Sequence, residues 1–163
     1  MKNDELKRMG FATQAIHGGH SPNAAGALVT PIYQASTFRF DSAEQGARRF
    51  ALEEEGYIYT RLGNPNSTEL EKKIALLEGA EAAVSMGSGM GAITSAFWSA
   101  LEPGDHIVAG KALYGCTFAF LGHGVAKFGV ETTFVDTSNL EEVKAALRPN
   151  TKVVYLESPA NPT

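Results

Sequence analysis

From residue 66 onward the chain alternates short apolar runs with amphipathic ones, and that alternation constrains the fold more than any other feature. A helix carrying Leu70, Ile74 and Leu77 on one face ends at Gly79, and an apolar strand follows over 82–86. The pattern then predicts a helix over 92–101 closed by Pro103-Gly104, a strand over 106–109 and a helix opening near Gly115. A strand over 131–135, a helix capped by Ser138 or Asn139 and a strand over 152–157 complete it. Short apolar strands interleaved with helices predict an α/β domain, a mostly parallel sheet with helices on both faces.

Residues 1–40 show no sustained period. Gly18-Gly19-His20-Ser21-Pro22-Asn23 is turn chemistry, and the stretch over 30–38 is extended and β-prone. So long an irregular arm is unusual within one compact domain, and it is expected to lie on a second subunit. Asp41-Ser42-Ala43-Glu44 reads as a helix start with an acid three residues after the cap, and Gly56 as the stop. The expected division is an arm over 1–63 and an α/β domain over 64–163.

The run Val84-Ser85-Met86-Gly87-Ser88-Gly89-Met90-Gly91-Ala92 joins a strand to a helix through three alternate glycines. Amides at a helix N-terminus lack intrahelical acceptors and sit at the positive end of the helix dipole, so the run reads as an anion cup. A tight turn without a ligand is the plainer alternative. A dinucleotide would also need an acid at the carboxyl end of the next strand, but that strand ends in Gly110-Lys111 and Asp105 lies at its amino end.

The chain has 163 residues, 44% of them hydrophobic, enough to bury a core. A net charge of -4 without a basic cluster argues against nucleic acid or an anionic membrane as partner. No run reaches membrane-spanning length and the amino terminus lacks a signal-peptide core, so a soluble, cytoplasmic protein is expected. The single cysteine, Cys116, excludes an internal disulfide. The four histidines show no metal-ligand spacing beyond the loose His17 and His20 pair and read as surface or capping residues.

Three further words stand where such a sheet places a site: the run over 57–65 with Tyr57, Tyr59 and Arg61, Leu113-Tyr114-Gly115-Cys116-Thr117, and Glu157-Ser158-Pro159-Ala160-Asn161-Pro162. Together with the glycine run, they resemble the cystathionine gamma-synthase-like family of pyridoxal phosphate enzymes, over essentially the whole chain. The resemblance implies a fold type I, aminotransferase-like domain. It implies that Ser88, Gly89 and Met90 form the cofactor's phosphate cup and that Tyr59 and Arg61 reach the phosphate from a neighbouring subunit. Tyr114 is expected to stack on the pyridine ring and Asn161 to lie near the phenolic oxygen. Read without the family, Tyr57 and Tyr59 are half-buried strand aromatics and Arg61 a solvated charge.

The implied cofactor is pyridoxal 5'-phosphate, and the implied chemistry is gamma-elimination of L-methionine to methanethiol, 2-oxobutanoate and ammonia, with homocysteine as a further substrate. The implied assembly is a homotetramer built from dimers that share active sites. Cystathionine gamma-lyase, gamma-synthase and O-acetylhomoserine sulfhydrylase chemistries are the alternatives. Tyr114 is the expected proton donor to the leaving thiolate, with Arg61 favouring its phenolate form. Cys116, where related enzymes usually have glycine, is expected to shape the substrate pocket; the alternative is a small buried hydrophobe.

A pyridoxal enzyme also needs a lysine, which the family carries in a Ser-x-Thr-Lys-Tyr run that is absent here. Lys152 opens an apolar strand and is expected at the opposite, amino edge of the sheet. The resemblance therefore implies the first part of a longer enzyme, inactive as 163 residues alone. A non-catalytic α/β module that oligomerises through its arm is the competing expectation.

Overall fold

The computed structural model describes residues 3–161, in two compact units, Met1–Ser85 and Met86–Thr163. In the first unit, α1 (Asn3–Leu6) and α2 (Phe11–His17) give local order to an arm whose sequence shows no period. Helix α3 (Ala43–Phe50) is capped by Ser42, whose side chain accepts from the Gln45 amide. Gln45 returns a bond by accepting from the Asp41 amide at 2.8 Å, so the reciprocal partner is Gln45 and not the expected Glu44. The helix also stops at Phe50 instead of Gly56, and Leu52 takes a left-handed φ of 60° just beyond it.

Helix α4 (Pro65–Glu78) has a strong start and stop. Asn64 caps it, proline occupies its first position, and Gly79 closes it with φ 64°. Asn64 is buried and donates to the Tyr33 carbonyl at 2.9 Å, while Asn66 accepts from the Tyr33 amide at 2.8 Å and donates to the Pro31 carbonyl at 2.8 Å. Two asparagines thus fasten the extended stretch around Tyr33 to the start of α4. The helix packs against α2.

Among the described residues the expected strand over 82–86 pairs with no strand. The Ser85 amide and hydroxyl instead donate to one Glu71 carboxylate oxygen, at 2.8 and 2.7 Å. An apolar alternating run has strand propensity, but a strand exists only where a neighbour completes its ladder.

The second unit holds the sheet and the core. Its sheet has the order β2-β1-β3, all parallel, formed by β1 (His106–Gly110), β2 (Glu131–Val135) and β3 (Thr151–Tyr155). Strand β1 is central and buried at every position. Ile107 and Ala109 belong to an apolar cluster with Phe97 of α5 (Gly89–Ala100), with Leu101 just after it, and with Leu121 and Val125. The Phe97 ring lies 5.1 Å from that of Tyr155 and 6.0 Å from that of Phe120. Helix α6 (Gly115–Ala119) continues into a π turn and a 3-10 turn that end at Gly129, φ 77°. Helix α7 (Leu140–Ala146) is capped by Asn139.

His106, read from sequence as a surface or capping residue, is fully buried. Its Nδ1 lies 2.8 Å from the Thr151 hydroxyl and its Nε2 2.9 Å from that of Thr133, so the imidazole ties all three strands together. Both ring nitrogens have partners, which removes the penalty that would otherwise expel the group. Burial holds its pKa below the usual histidine range, reinforced by Arg148 and opposed by Glu131.

Candidate functional site

Helix α5 begins three residues before the expected 92, at Gly89, and Ser88 is its cap with φ -161° and ψ 160°. The Ser88 oxygen accepts from the Gly91 amide at 3.0 Å, which leaves its hydroxyl proton available to an anion. Gly89 and Met90 are the first two helical residues, whose amides have no acceptor within the helix. The first turn carries no acid, and a side-chain carbon placed at Gly87 or Gly89 would meet no atom within 4 Å. Exposed amides, a hydroxyl donor and open space at the positive end of a 12-residue helix suit a phosphate dianion. The residues present therefore fit the phosphate of pyridoxal phosphate.

Beyond the carboxyl ends of β1 and β3, the loop carrying Tyr114 lies beside the segment that leaves β3. The Tyr114 amide donates to Glu157 Oε2 at 2.7 Å, and the Tyr155 hydroxyl donates to Glu157 Oε1 at 3.1 Å. Tyr114 itself is 39% exposed, so its ring is free to face a ligand. Cys116 is exposed, against the small buried hydrophobe of the plainer reading. The neighbouring Cys116 side chain holds the Tyr114 phenol above the usual tyrosine range. A group that keeps its proton near neutral pH is suited to donate it.

The fully buried Thr117 places its hydroxyl 3.7 Å from the Met90 sulfur, joining α6 to the first turn of α5. Ser88, Gly89, Met90, Tyr114 and Cys116 thus belong to one connected end of the second unit. Asn161 is exposed in the bend after β3. Lys152, the second residue of β3, is exposed near the strand's amino end.

Tyr59 and Arg61 belong to the first unit. The Arg61 guanidinium lies 5.4 Å from the Tyr59 ring centroid. Their segment is held against the preceding stretch by an antiparallel bridge between Thr37 and Tyr59, with the Thr60 amide donating to the Ser36 carbonyl at 2.9 Å. An open recess runs between Tyr33–Ser36 and this segment. Among the described residues Arg61 has no carboxylate partner, so its fork of donors is uncommitted. Half-exposed Tyr59 matches the half-buried aromatic of the plainer reading, yet the pairing with Arg61 makes it part of a cationic surface.

Tyr155 lies outside the runs that the sequence marks, and Thr117 and Glu157 lie within them without a role of their own. Glu157 stands in a run that was singled out, but its partner Tyr114 is 43 residues away and no local spacing links them.

Comparison with known proteins places this geometry in a class. The family model for the Cys/Met metabolism PLP-dependent enzymes matches residues 12–163, and the chain belongs to that family. An L-methionine gamma-lyase of Porphyromonas gingivalis is 68% identical over 162 residues, which are 99% of this chain and 41% of that protein. An O-acetyl-L-homoserine sulfhydrylase of Corynebacterium glutamicum is 42% identical over 98% of this chain and 37% of its own length. A solved Campylobacter jejuni structure, assigned as an O-acetylhomoserine (thiol)-lyase and holding N'-pyridoxyl-lysine-5'-monophosphate, superimposes with a TM-score of 0.88. It is 32% identical, and the match covers 95% of this chain and 38% of that one. The architecture is fold type I, the aminotransferase-like fold of PLP-dependent enzymes. The chain spans about 40% of the length of the curated relatives it matches.

Proposed function

We propose that this chain forms part of a pyridoxal phosphate enzyme that eliminates methanethiol from L-methionine, with 2-oxobutanoate and ammonia as the other products. The observation that carries the reading is the Tyr114–Cys116 loop joined through Thr117 to the first turn of α5, where Ser88, Gly89 and Met90 form the open helix-capping cup. Higher identity to a protein named L-methionine gamma-lyase than to one named O-acetyl-L-homoserine sulfhydrylase, 68% against 42%, supports the choice of substrate. Bound pyridoxal phosphate supplies the electron sink for the carbanions of the reaction.

The residues of this chain supply the rest. The Gly89 and Met90 amides and the Ser88 hydroxyl would hold the phosphate, and Asn161 would be a further polar contact to the cofactor. The exposed Tyr114 ring would pack against the cofactor's ring. Its hydroxyl, kept protonated beside Cys116, gives its proton to the departing methanethiolate sulfur, a form of help worth about 10² to 10⁴ in rate. Cys116 bounds the space for the substrate's sulfur substituent. Tyr59 and Arg61 reach the phosphate of a neighbouring copy, so the functional unit is a homo-oligomer, a tetramer of site-sharing dimers. Arginine offers a planar pair of donors that matches a phosphate, and tyrosine adds one more.

The test is Tyr114→Phe in the full-length protein. Cofactor titration should be nearly unchanged, while methanethiol release from methionine falls about tenfold or more, as expected when one general acid is lost. Unchanged elimination kinetics would remove Tyr114 from the proton transfer. Cystathionine or O-acetylhomoserine turned over faster than methionine by the unaltered enzyme would overturn the substrate.

A further inference from the structure

We infer that Glu157 is a positioning residue that sets where the Tyr114 hydroxyl stands. This rests on Tyr114 being the proton donor proposed above. The two oxygens of the Glu157 carboxylate are spent on two unlike donors, the Tyr114 backbone amide at 2.7 Å and the Tyr155 hydroxyl at 3.1 Å. Tyr114 is the residue before α6, and its carbonyl accepts from the Phe118 amide at 2.9 Å. With N–H and C=O both committed, only the two side-chain torsions are left to place the ring.

The other end of the clamp is anchored in the core. The Tyr155 ring lies 5.1 Å from that of Phe97, which is 3% exposed, and burial together with the Glu157 bond holds the Tyr155 phenol above its usual pKa. The carboxylate therefore links a fixed point of the core to a loop that is otherwise solvent-exposed. Proton transfer depends steeply on such placement, since an error of about 1 Å can cost about 10²-fold. Tyr114 has no side-chain capping bond of its own, so nothing else at this helix start takes over if Glu157 is removed.

The chemistry also says which substitutes suffice. Glutamine keeps one acceptor for the Tyr114 amide and presents its NH₂ to the Tyr155 oxygen, which can accept. Aspartate keeps the charge but is one methylene short of spanning both donors. Shape and acceptor, not charge, are what the position requires.

The experiment is a double-mutant cycle in the full-length, pyridoxal phosphate-loaded protein with L-methionine as substrate. Glu157→Ala should lower kcat about tenfold or more with KM and cofactor affinity changed less than about threefold, and Glu157→Gln should restore most of the loss. In a Tyr114→Phe background, Glu157→Ala should cost less than about twofold, because the hydroxyl it positions is gone. If Glu157→Ala does not accumulate folded, Glu157→Asp enters the same cycle with the same expectation. An equal loss in both backgrounds, or no rescue by glutamine, overturns the positioning role. A Tyr114→Phe protein with unchanged kcat instead overturns the proton-donor reading, so the two failures are told apart.

Discussion

Ser88 combines two roles that substitution can separate. As the cap of α5 it accepts from the Gly91 amide at 3.0 Å, and as a hydroxyl it retains a proton for the phosphate. Ser88→Ala removes both, at about 1 kcal/mol of helix stability for the cap and about 1.5 to 3 kcal/mol for one hydrogen bond to a charged group. Glycine is nearly as good a cap as serine, costing only about a few tenths of a kcal/mol, so Ser88→Gly isolates the lost donor. Ser88→Asp is the decisive variant. Aspartate caps well, but its carboxylate faces the phosphate, and two like charges about 4 Å apart repel by about 1 to 4 kcal/mol between bulk water and a partly screened site. The assay is thermal unfolding of the cofactor-free full-length protein, paired with absorbance titration by pyridoxal phosphate. Ser88→Gly should melt close to the wild type and bind about ten- to a hundredfold more weakly. Ser88→Asp should also melt close to the wild type but bind more weakly still. Wild-type affinity in Ser88→Asp would refute the placement of the phosphate at this helix end.

Other expectations follow from the same geometry. Arg61→Ala should weaken pyridoxal phosphate retention with Arg61→Lys only partly corrective, because the ammonium lacks the planar fork; mixed oligomers of Arg61→Ala with Ser88→Asp should regain some wild-type sites, and verified hybrids without any recovery would place Arg61 elsewhere. Cys116→Gly should shift preference from methionine towards bulkier cystathionine-like substrates by about 1 to 3 kcal/mol. The same change removes the neighbour that raises the Tyr114 phenol, so the alkaline limb of the rate profile should move to lower pH, and an unmoved limb would refute that coupling. His106 is held below its usual pKa of 6.5, so as pH falls the unfolded chain takes up this proton before the folded one does. Its contribution to stability is therefore complete above 6.5 and is lost as pH falls below it. Urea midpoints measured at about pH 8 and 5 should diverge more for the wild type than for His106→Asn, and parallel profiles would sink the assignment.

Much of the local structure was legible in the sequence because it is written in residues that act on their immediate neighbours. The helix cap at Asn139, the stop at Gly79 and the strand over 131–135 depend on hydrogen bonds and torsions within a turn or two of the chain. The glycine run was legible for the same reason, since a cap and two unpaired amides are local features. Resemblance, rather than any local rule, brought Tyr59, Arg61, Tyr114 and Asn161 into consideration.

What the tertiary structure alone decided concerns partners distant in sequence. The run over 82–86 has strand-like residues, yet among the described residues it pairs with no strand, and the Ser85 amide and hydroxyl bond to Glu71 instead. His106 looks like any polar residue at a strand start until the parallel register brings Thr133 and Thr151 to its two nitrogens. Glu157 became part of the site only when β3 carried it to the Tyr114 amide. Local chemistry determines which backbone groups need partners near a turn, whereas the partner of a buried or strand-end group is chosen by register and packing. Those are properties of the whole fold, because one residue's slip in register would turn each side chain to the opposite face.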